Sequence, residues 1–241
     1  MRRGLRKTII KMIPPFLKRF IINIRNRFFD GFAVKSYSQE GEDLILRRFF
    51  ESGSGETGFY VDIGAHHPFR FSNTYLFYKM GWNGINIDAT PGSMALFNKI
   101  RPRDINLEYA ISDTEGTLTY YMFKDAALNT FSRELADNYV QDGQNLLNEE
   151  ILNVYTLSKV LGDYLDQGMK IDFMSIDAEG FDLKVLKSND WSKYRPTVLL
   201  VESLDFDFLN PDSFEIYEYL TRIGYKLFSK TINTLFFIKI K

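Results

Sequence analysis

YVDIGAHHP, residues 60–68, decides how this 241-residue chain is read. An apolar run climbs to Asp62, turns through Gly64 and meets the only two histidines present, His66 and His67. A nucleotide-binding α/β sheet ends its first strand this way, because the backbone must come close to the ligand at a glycine turn.

The pattern around this stretch supports that reading. Helix-period segments (38–52, 72–82, the short 91–102, 157–167, 181–190, 212–224) alternate with apolar runs (58–65, 84–90, 106–113, 171–180, 196–203). Ser72 is the expected N-cap of the second helix and Gly81 its stop. GTLTYYMF, from residue 116, reads as an extra strand, and 124–156 as polar and irregular. Residues 225–240 read as two strands around a tight turn. Strands alternating with helices predict a parallel sheet covered on both faces. The expected fold is therefore α/β and Rossmann-like: seven strands, mostly parallel, closed by a C-terminal antiparallel hairpin. Ligands in such sheets bind beyond the carboxyl ends of the strands. Asp62, Asp88, Asp113, Asp177 and Glu202 lie at or just after the five strand ends. Half-buried acids are costly unless they have partners, so the series suggests a site.

No cysteine is present, which excludes structural disulfides, thiolate nucleophiles and cysteine zinc sites. It also fits a reducing, cytoplasmic setting. Residues 1–29 hold nine basic side chains and no acid, leaving 21 basic against 31 acidic residues elsewhere. Two parts are expected, a basic amphipathic segment over 1–30 and a catalytic domain over 31–241. The segment's longest uncharged stretch, Met12 to Leu17, cannot span a bilayer, which needs ~20 apolar residues. It also lacks a signal-peptide cleavage site. Pro14 and Pro15 divide it into two short helices, and the second, Phe16–Phe29, mixes Phe and Ile with Lys and Arg. It reads either as a peripheral membrane contact at the inner face, through residues 1–29, or as a helix packed on the body. The acidic body argues against nucleic acid as a partner.

The glycine turn says more about the ligand. The second and third glycines of a G-x-G-x-x-G fingerprint fall on His66 and Phe69, which argues against a pyrophosphate there. S-adenosylmethionine has no phosphate to cradle, and its cationic head welcomes Asp62. Asp88, 26 residues on, is placed to accept from both ribose hydroxyls, in a role that NAD would also allow.

From about Tyr37 onward the chain resembles the FkbM-type S-adenosylmethionine-dependent methyltransferases. The resemblance rests on YSQEGEDLIL (37–46), GFYVDIGAHHPFRFSNTYLFYKMGWNGINIDATPGSM (58–94), AISDTEGTLTYY (110–121), LNTFS (128–132) and FMSIDAEGFDLKVLKSNDW (173–191). It implies a class I methyltransferase fold with strand order 3-2-1-4-5-7-6, and methyl transfer usually to a hydroxyl. It also implies that Asp62 to Gly64 contact the methionine part, that Asp88 holds the ribose, and that Ser112 and Asp113 sit by the adenine. Gln39 and Glu42 would close over the cofactor, and Asp177 and Glu179 would face the methyl group and the acceptor. His66–His67 departs from many relatives, which carry Asn or another small polar residue there.

Methyl transfer to a hydroxyl needs the acceptor aligned with the methyl and a base or metal to take its proton. Asp177 and Glu179 are the favoured groups, although each could instead serve the start of the following helix. His66 or His67 could act as base, or could bind an anionic acceptor with Arg70 nearby. A divalent cation (Mg or Mn) on Asp177, Glu179 and Glu202, helped by Asp205 and a histidine, is a third option. Asn129 and Thr130, in the polar stretch 124–140, are candidate acceptor-binding residues together with Glu202. The expected reaction is O-methylation of a hydroxyl or phosphate on a sugar, glycan or related precursor, as in polysaccharide biosynthesis. The alternatives are a nicotinamide-dependent sugar-modifying oxidoreductase and a catalytically silent membrane-attached binding protein.

Overall fold

The computed structural model describes residues 14–28, 31–51, 57–166 and 168–240. The chain divides into two units, residues 1–35 and 36–241. In the first, helix α1 (Pro15–Phe28) begins at the second residue of the proline pair, where a missing N–H costs nothing. The expected helix before Pro14 lies outside the described residues.

The second unit is built on parallel strands that, apart from the edge strand Ile105–Glu108, are buried on both faces. These are β1 (Phe59–Ile63), β2 (Asn83–Asp88), β3 (Ile105–Glu108), β7 (Phe173–Ile176) and β8 (Val198–Glu202). They run parallel, and β10 (Thr234–Lys239) pairs antiparallel with both β8 and β9 (Tyr225–Lys230). The order is β3-β2-β1-β7-β8-β10-β9. Counted along this sheet alone, that is the expected 3-2-1-4-5-7-6. Alternation along each strand divides the core. Tyr60, Phe173, Leu200 and Phe236 pack against α2 (Glu42–Phe50) and α3 (Tyr75–Met80). Val61, Met174, Leu199 and Phe237 pack on the other face, under α6 (Leu157–Tyr164), α7 (Asp182–Lys187) and α8 (Glu215–Arg222).

Three local expectations change. The helix expected from residue 38 starts at Glu42, because Gly41 sits at φ +90° and Asp43 folds the chain before it. The Asp43 carboxylate accepts from Ser36 Oγ (2.7 Å), Ser38 Oγ (3.1 Å) and the Tyr37 amide (2.8 Å). Helix α3 starts at Tyr75 rather than near Ser72, whose hydroxyl accepts from the Tyr75 amide at 3.1 Å; the helix stops at Gly81, φ +105°. The run 106–113 is two strands: β3 leaves the large sheet at Glu108, and β4 (Ala110–Ile111) joins a second, three-stranded sheet.

That second sheet also corrects the reading of 124–156 as irregular. The stretch contains α5 (Arg133–Gln141) and β6 (Leu146–Tyr155), which pairs parallel with β4 and antiparallel with β5 (Gly116–Phe123). Of the ten residues of β6 only Val154 is buried. A strand solvated on both faces has no apolar alternation to read, and here its partner specifies it.

Candidate active site

The carboxyl ends of β1, β2, β7 and β8 open into a cavity of about 330 Å³. Its floor is the turn after β1. Gly64 has φ +76°, and its amide donates to the Ile87 carbonyl (2.9 Å). A Cβ on Gly64 would stand 1.7 Å from the Asp177 carbonyl oxygen, so only glycine fits this crossing of two strand ends.

Asp88, at the end of β2, is fixed from both sides. One carboxylate oxygen accepts from the His66 amide and the other from the Thr90 amide, each at 2.8 Å. A carboxylate offers about four acceptor sites, so this anchoring leaves each oxygen able to take a further donor. Asp62 is buried at the end of β1 and accepts from Thr74 Oγ1 at 2.6 Å. Thr74 in turn accepts from the fully buried Arg101 guanidinium (3.0 Å). Arg101 pairs with Asp104 (2.8 Å) and donates to Tyr60 Oη (2.9 Å). Burial raises the Asp62 carboxyl, while Thr74 and Arg101 oppose the rise. His66 takes φ +49°, and its Nε2 is buried with no partner. Burial lowers its pKa, so the ring is neutral at pH 7.

The far end of the cavity is acidic. Asp177 follows β7, Glu202 ends β8, and Glu179 sits in the turn between β7 and α7. Asp177 is exposed to the cleft, with the other acids crowded around it. Desolvation, Glu202, Asp182, Asp62 and Glu42 together push it well above the ordinary carboxyl range. Glu179 and Glu202 rise to about 8, first from burial and then from neighbouring acids. The Tyr139 hydroxyl donates to Glu179 (3.4 Å), and Tyr139 itself is pushed up to about 12 by burial and the same acids. Glu179 lies at φ +47°, a strained position for a non-glycine residue. Thr130 Oγ1 holds its carbonyl at 2.7 Å, and Asp182 accepts from the Ala178 (2.9 Å) and Gly180 (3.3 Å) amides. Asp182 therefore ties down the turn before α7, whose N-cap position is Phe181 and not Asp177, with no side-chain cap bond.

These carboxyls make ligand-free stability depend on pH. Their pKa values are higher folded than unfolded, so the folded state holds extra protons. The protection is full below about pH 4.5 and is lost as pH rises through about 8. The melting temperature should fall from pH 6 to pH 9, and Glu179→Gln should flatten the slope. A flat wild-type profile would count against the cluster.

The structure brings Gln39, Asp62, Gly64, His66, Asp88, Asn129, Asp177, Glu179 and Glu202 onto one cavity wall. Seven expected residues lie off it. Glu42 is tied to the C-terminal hairpin, accepting from Thr231 Oγ1 at 3.1 Å. Ser112 and Asp113 follow β4, after the chain has left the large sheet, and bond to each other (3.2 Å). Tyr109 and Ile111 stand on the wall instead. His67 closes its own turn, with Nδ1 accepting from the Phe69 (3.3 Å) and Arg70 (3.1 Å) amides. Arg70 is exposed and lies over the Phe71 ring at 4.4 Å. Thr130 supports the Glu179 turn from behind. Asp205 is exposed, and among the described residues no group of three His, Asp or Glu side chains could hold a metal ion.

The wall also includes residues not anticipated. Asn73 donates to Ser175 (3.0 Å), Thr90 bonds Tyr120 (3.0 Å), and the Phe131 ring lies 4.5 Å from Tyr120 and 5.6 Å from Phe181. Asn129 braces the wall, accepting from the Phe123 amide (2.8 Å) and donating to Thr90 Oγ1 (3.3 Å). Asn73 and Phe131 lie within the segments SNTYLFYKM and LNTFS, but nothing in the residues alone marked them.

An open sheet of this order, with a glycine turn after the first strand and an anchored acid after the second, is a class I methyltransferase fold. The model of the methyltransferase FkbM domain matches residues 62–227, and the chain belongs to that family. Two solved structures are similar to it. Methyltransferase FkbM from Methylobacillus flagellatus KT is 14% identical over 84% of this chain and 48% of its own, with a TM-score of 0.48. A methyltransferase from Geobacter sulfurreducens is 11% identical over 99% of this chain and 96% of its own, with a TM-score of 0.42. The chain thus spans about half the length of the first. No curated protein matches it.

Proposed function

We propose that this chain is an S-adenosylmethionine-dependent methyltransferase acting on a hydroxyl of an uncharged or amine-bearing sugar or glycan precursor. One observation carries the reading: the glycine turn, the anchored Asp88 and the carboxyl cluster line one cavity, and among the described residues that line it there is no lysine or arginine. An anionic acceptor would meet several acids and no cation there, which weighs against the phosphate arm of the sequence reading. The same absence weighs against a nicotinamide dinucleotide, whose pyrophosphate needs donors that this turn does not offer.

The residues fit the cofactor. Asp88 would take the ribose diol on its free acceptor sites, and the Gly64 turn would leave room for the backbone approach. His66 Nε2, a buried polar atom without a partner, supplies a contact that a polar ligand would complete. Tyr109, Ile111 and Phe131 offer apolar surface for a flat base. S-adenosylmethionine supplies an electrophilic methyl group on a cationic sulfur. Glu179 accepts the acceptor's proton, and Tyr139 holds its carboxylate in place. Burial, and then Asp177 and Asp182, keep the Glu179 pKa near 8, where a base is strong and still about a tenth ionised at pH 7.

Below pH 8 the rate should climb about tenfold per unit and level off above it, because only the deprotonated Glu179 can act. Glu179→Gln should lower kcat by roughly 10²–10⁴ while leaving S-adenosylhomocysteine affinity nearly unchanged. A flat pH profile would remove Glu179 from the role of base. The reading as a whole is tested by thermal shift with S-adenosylmethionine, S-adenosylhomocysteine and NADH in parallel. A ligand at 100 times its Kd stabilises by about 2.7 kcal/mol. Shifts with the first two and none with NADH are expected; a shift with NADH alone would favour the oxidoreductase.

A further inference from the structure

Helix α1 has a face that the methyltransferase reading does not use. With residues about 100° apart around the axis, Phe16, Leu17, Phe20, Ile21, Ile24 and Phe28 fall within an arc of roughly 140°. All six are exposed, including Phe16 at 74%, Phe28 at 68% and Phe20 at 60%. Lys18, Arg19, Asn23 and Asn26 lie outside the arc, and Arg27 sits near one edge, where a long side chain can reach outward past apolar neighbours. The helix contains no acid, and residues 1–29 carry nine bases against an acidic remainder.

We propose that α1 lies flat on an anionic lipid surface, with its aromatic and aliphatic arc in the interface and its basic residues against the headgroups. Charge complementarity favours this occupant. A segment without a single acid repels basic surfaces and gains from phospholipid anions, while its apolar arc needs an apolar phase. A helix of 14 residues is about 21 Å long, too short for the hydrocarbon core. Among the described residues no helix is long and apolar enough to cross a membrane. Lying on the surface is the geometry left to this helix. It would hold the cavity near acceptors built at that surface.

The test is sedimentation of the full chain with vesicles of phosphatidylcholine, with and without phosphatidylglycerol. The chain should pellet with the anionic vesicles only, and added salt should release it. Lys18→Glu/Arg19→Glu should weaken binding by about 100-fold or more. Phe20→Ser/Ile24→Ser should weaken it as well, with the melting temperature of the body unchanged in both variants. Three outcomes overturn the proposal: no binding to either vesicle, equal binding to both, or binding that neither variant affects. A dimer in analytical ultracentrifugation that Phe20→Ser/Ile24→Ser dissolves, without vesicle binding, would give this face to a second copy and also overturn it.

Discussion

Replacing Arg101 with leucine should cost the folded body about 3–5 kcal/mol. The guanidinium is fully buried, pairs with Asp104 at 2.8 Å, and donates to Tyr60 Oη and Thr74 Oγ1. Leucine fills part of the volume but leaves a buried carboxylate without its cation and two hydroxyl oxygens without their donor. Asp104 keeps the Tyr60 hydroxyl, the Gly84 amide and Asn86 Nδ2, which holds the loss near this range rather than beyond it. Denaturant unfolding measures the cost; a loss under about 1 kcal/mol would show that the network contributes little. The effect should also reach the site, because Thr74 links Arg101 to Asp62. Ligand affinity should fall even in the fraction that remains folded.

The second large effect concerns Asp88→Ala, which should weaken S-adenosylhomocysteine binding by about 100-fold or more. Two hydrogen bonds to a charged acceptor are each worth roughly 1.5–3 kcal/mol. Asp88→Asn should do little better. Its amide would turn an N–H toward either the His66 or the Thr90 amide, both of which now donate to the carboxylate. Calorimetric titration of the wild type and both variants, with their melts as folding controls, checks this. An affinity within about threefold of wild type would take the ribose role away from Asp88.

What could be read from the residues follows from where the information is local. The central strands β1, β2, β7 and β8 are buried on both faces, so their apolar runs are continuous, and the Gly64 turn and the acids after it stand at predictable ends. Asp62, Asp88, Asp177, Glu179 and Glu202 are legible that way, and all five line the cavity. Ser112 and Asp113 were misplaced because the run 106–113 hides a change of sheet. The large sheet ends at Glu108, and Tyr109 takes the position on the wall. Strand β6 was invisible because its residues face water on both sides. Arg101 was missed for the opposite reason. In IRPRD it stands at the end of the expected helix 91–102, and its burial depends on Tyr60 and Thr74, which distant segments bring to it, as well as on Asp104 nearby. The two histidines looked alike in sequence, yet backbone geometry separates them: His66 turns to the cavity, and His67 closes its own loop.

The central claim, that this cavity holds S-adenosylmethionine by its ribose on Asp88, is tested most directly by a crystal structure of the chain with saturating S-adenosylhomocysteine. The account predicts the ligand in the cavity between the Gly64 turn and Glu179, with its ribose hydroxyls on the Asp88 carboxylate. An empty cavity at saturating ligand, or a ribose bound away from Asp88, would contradict it.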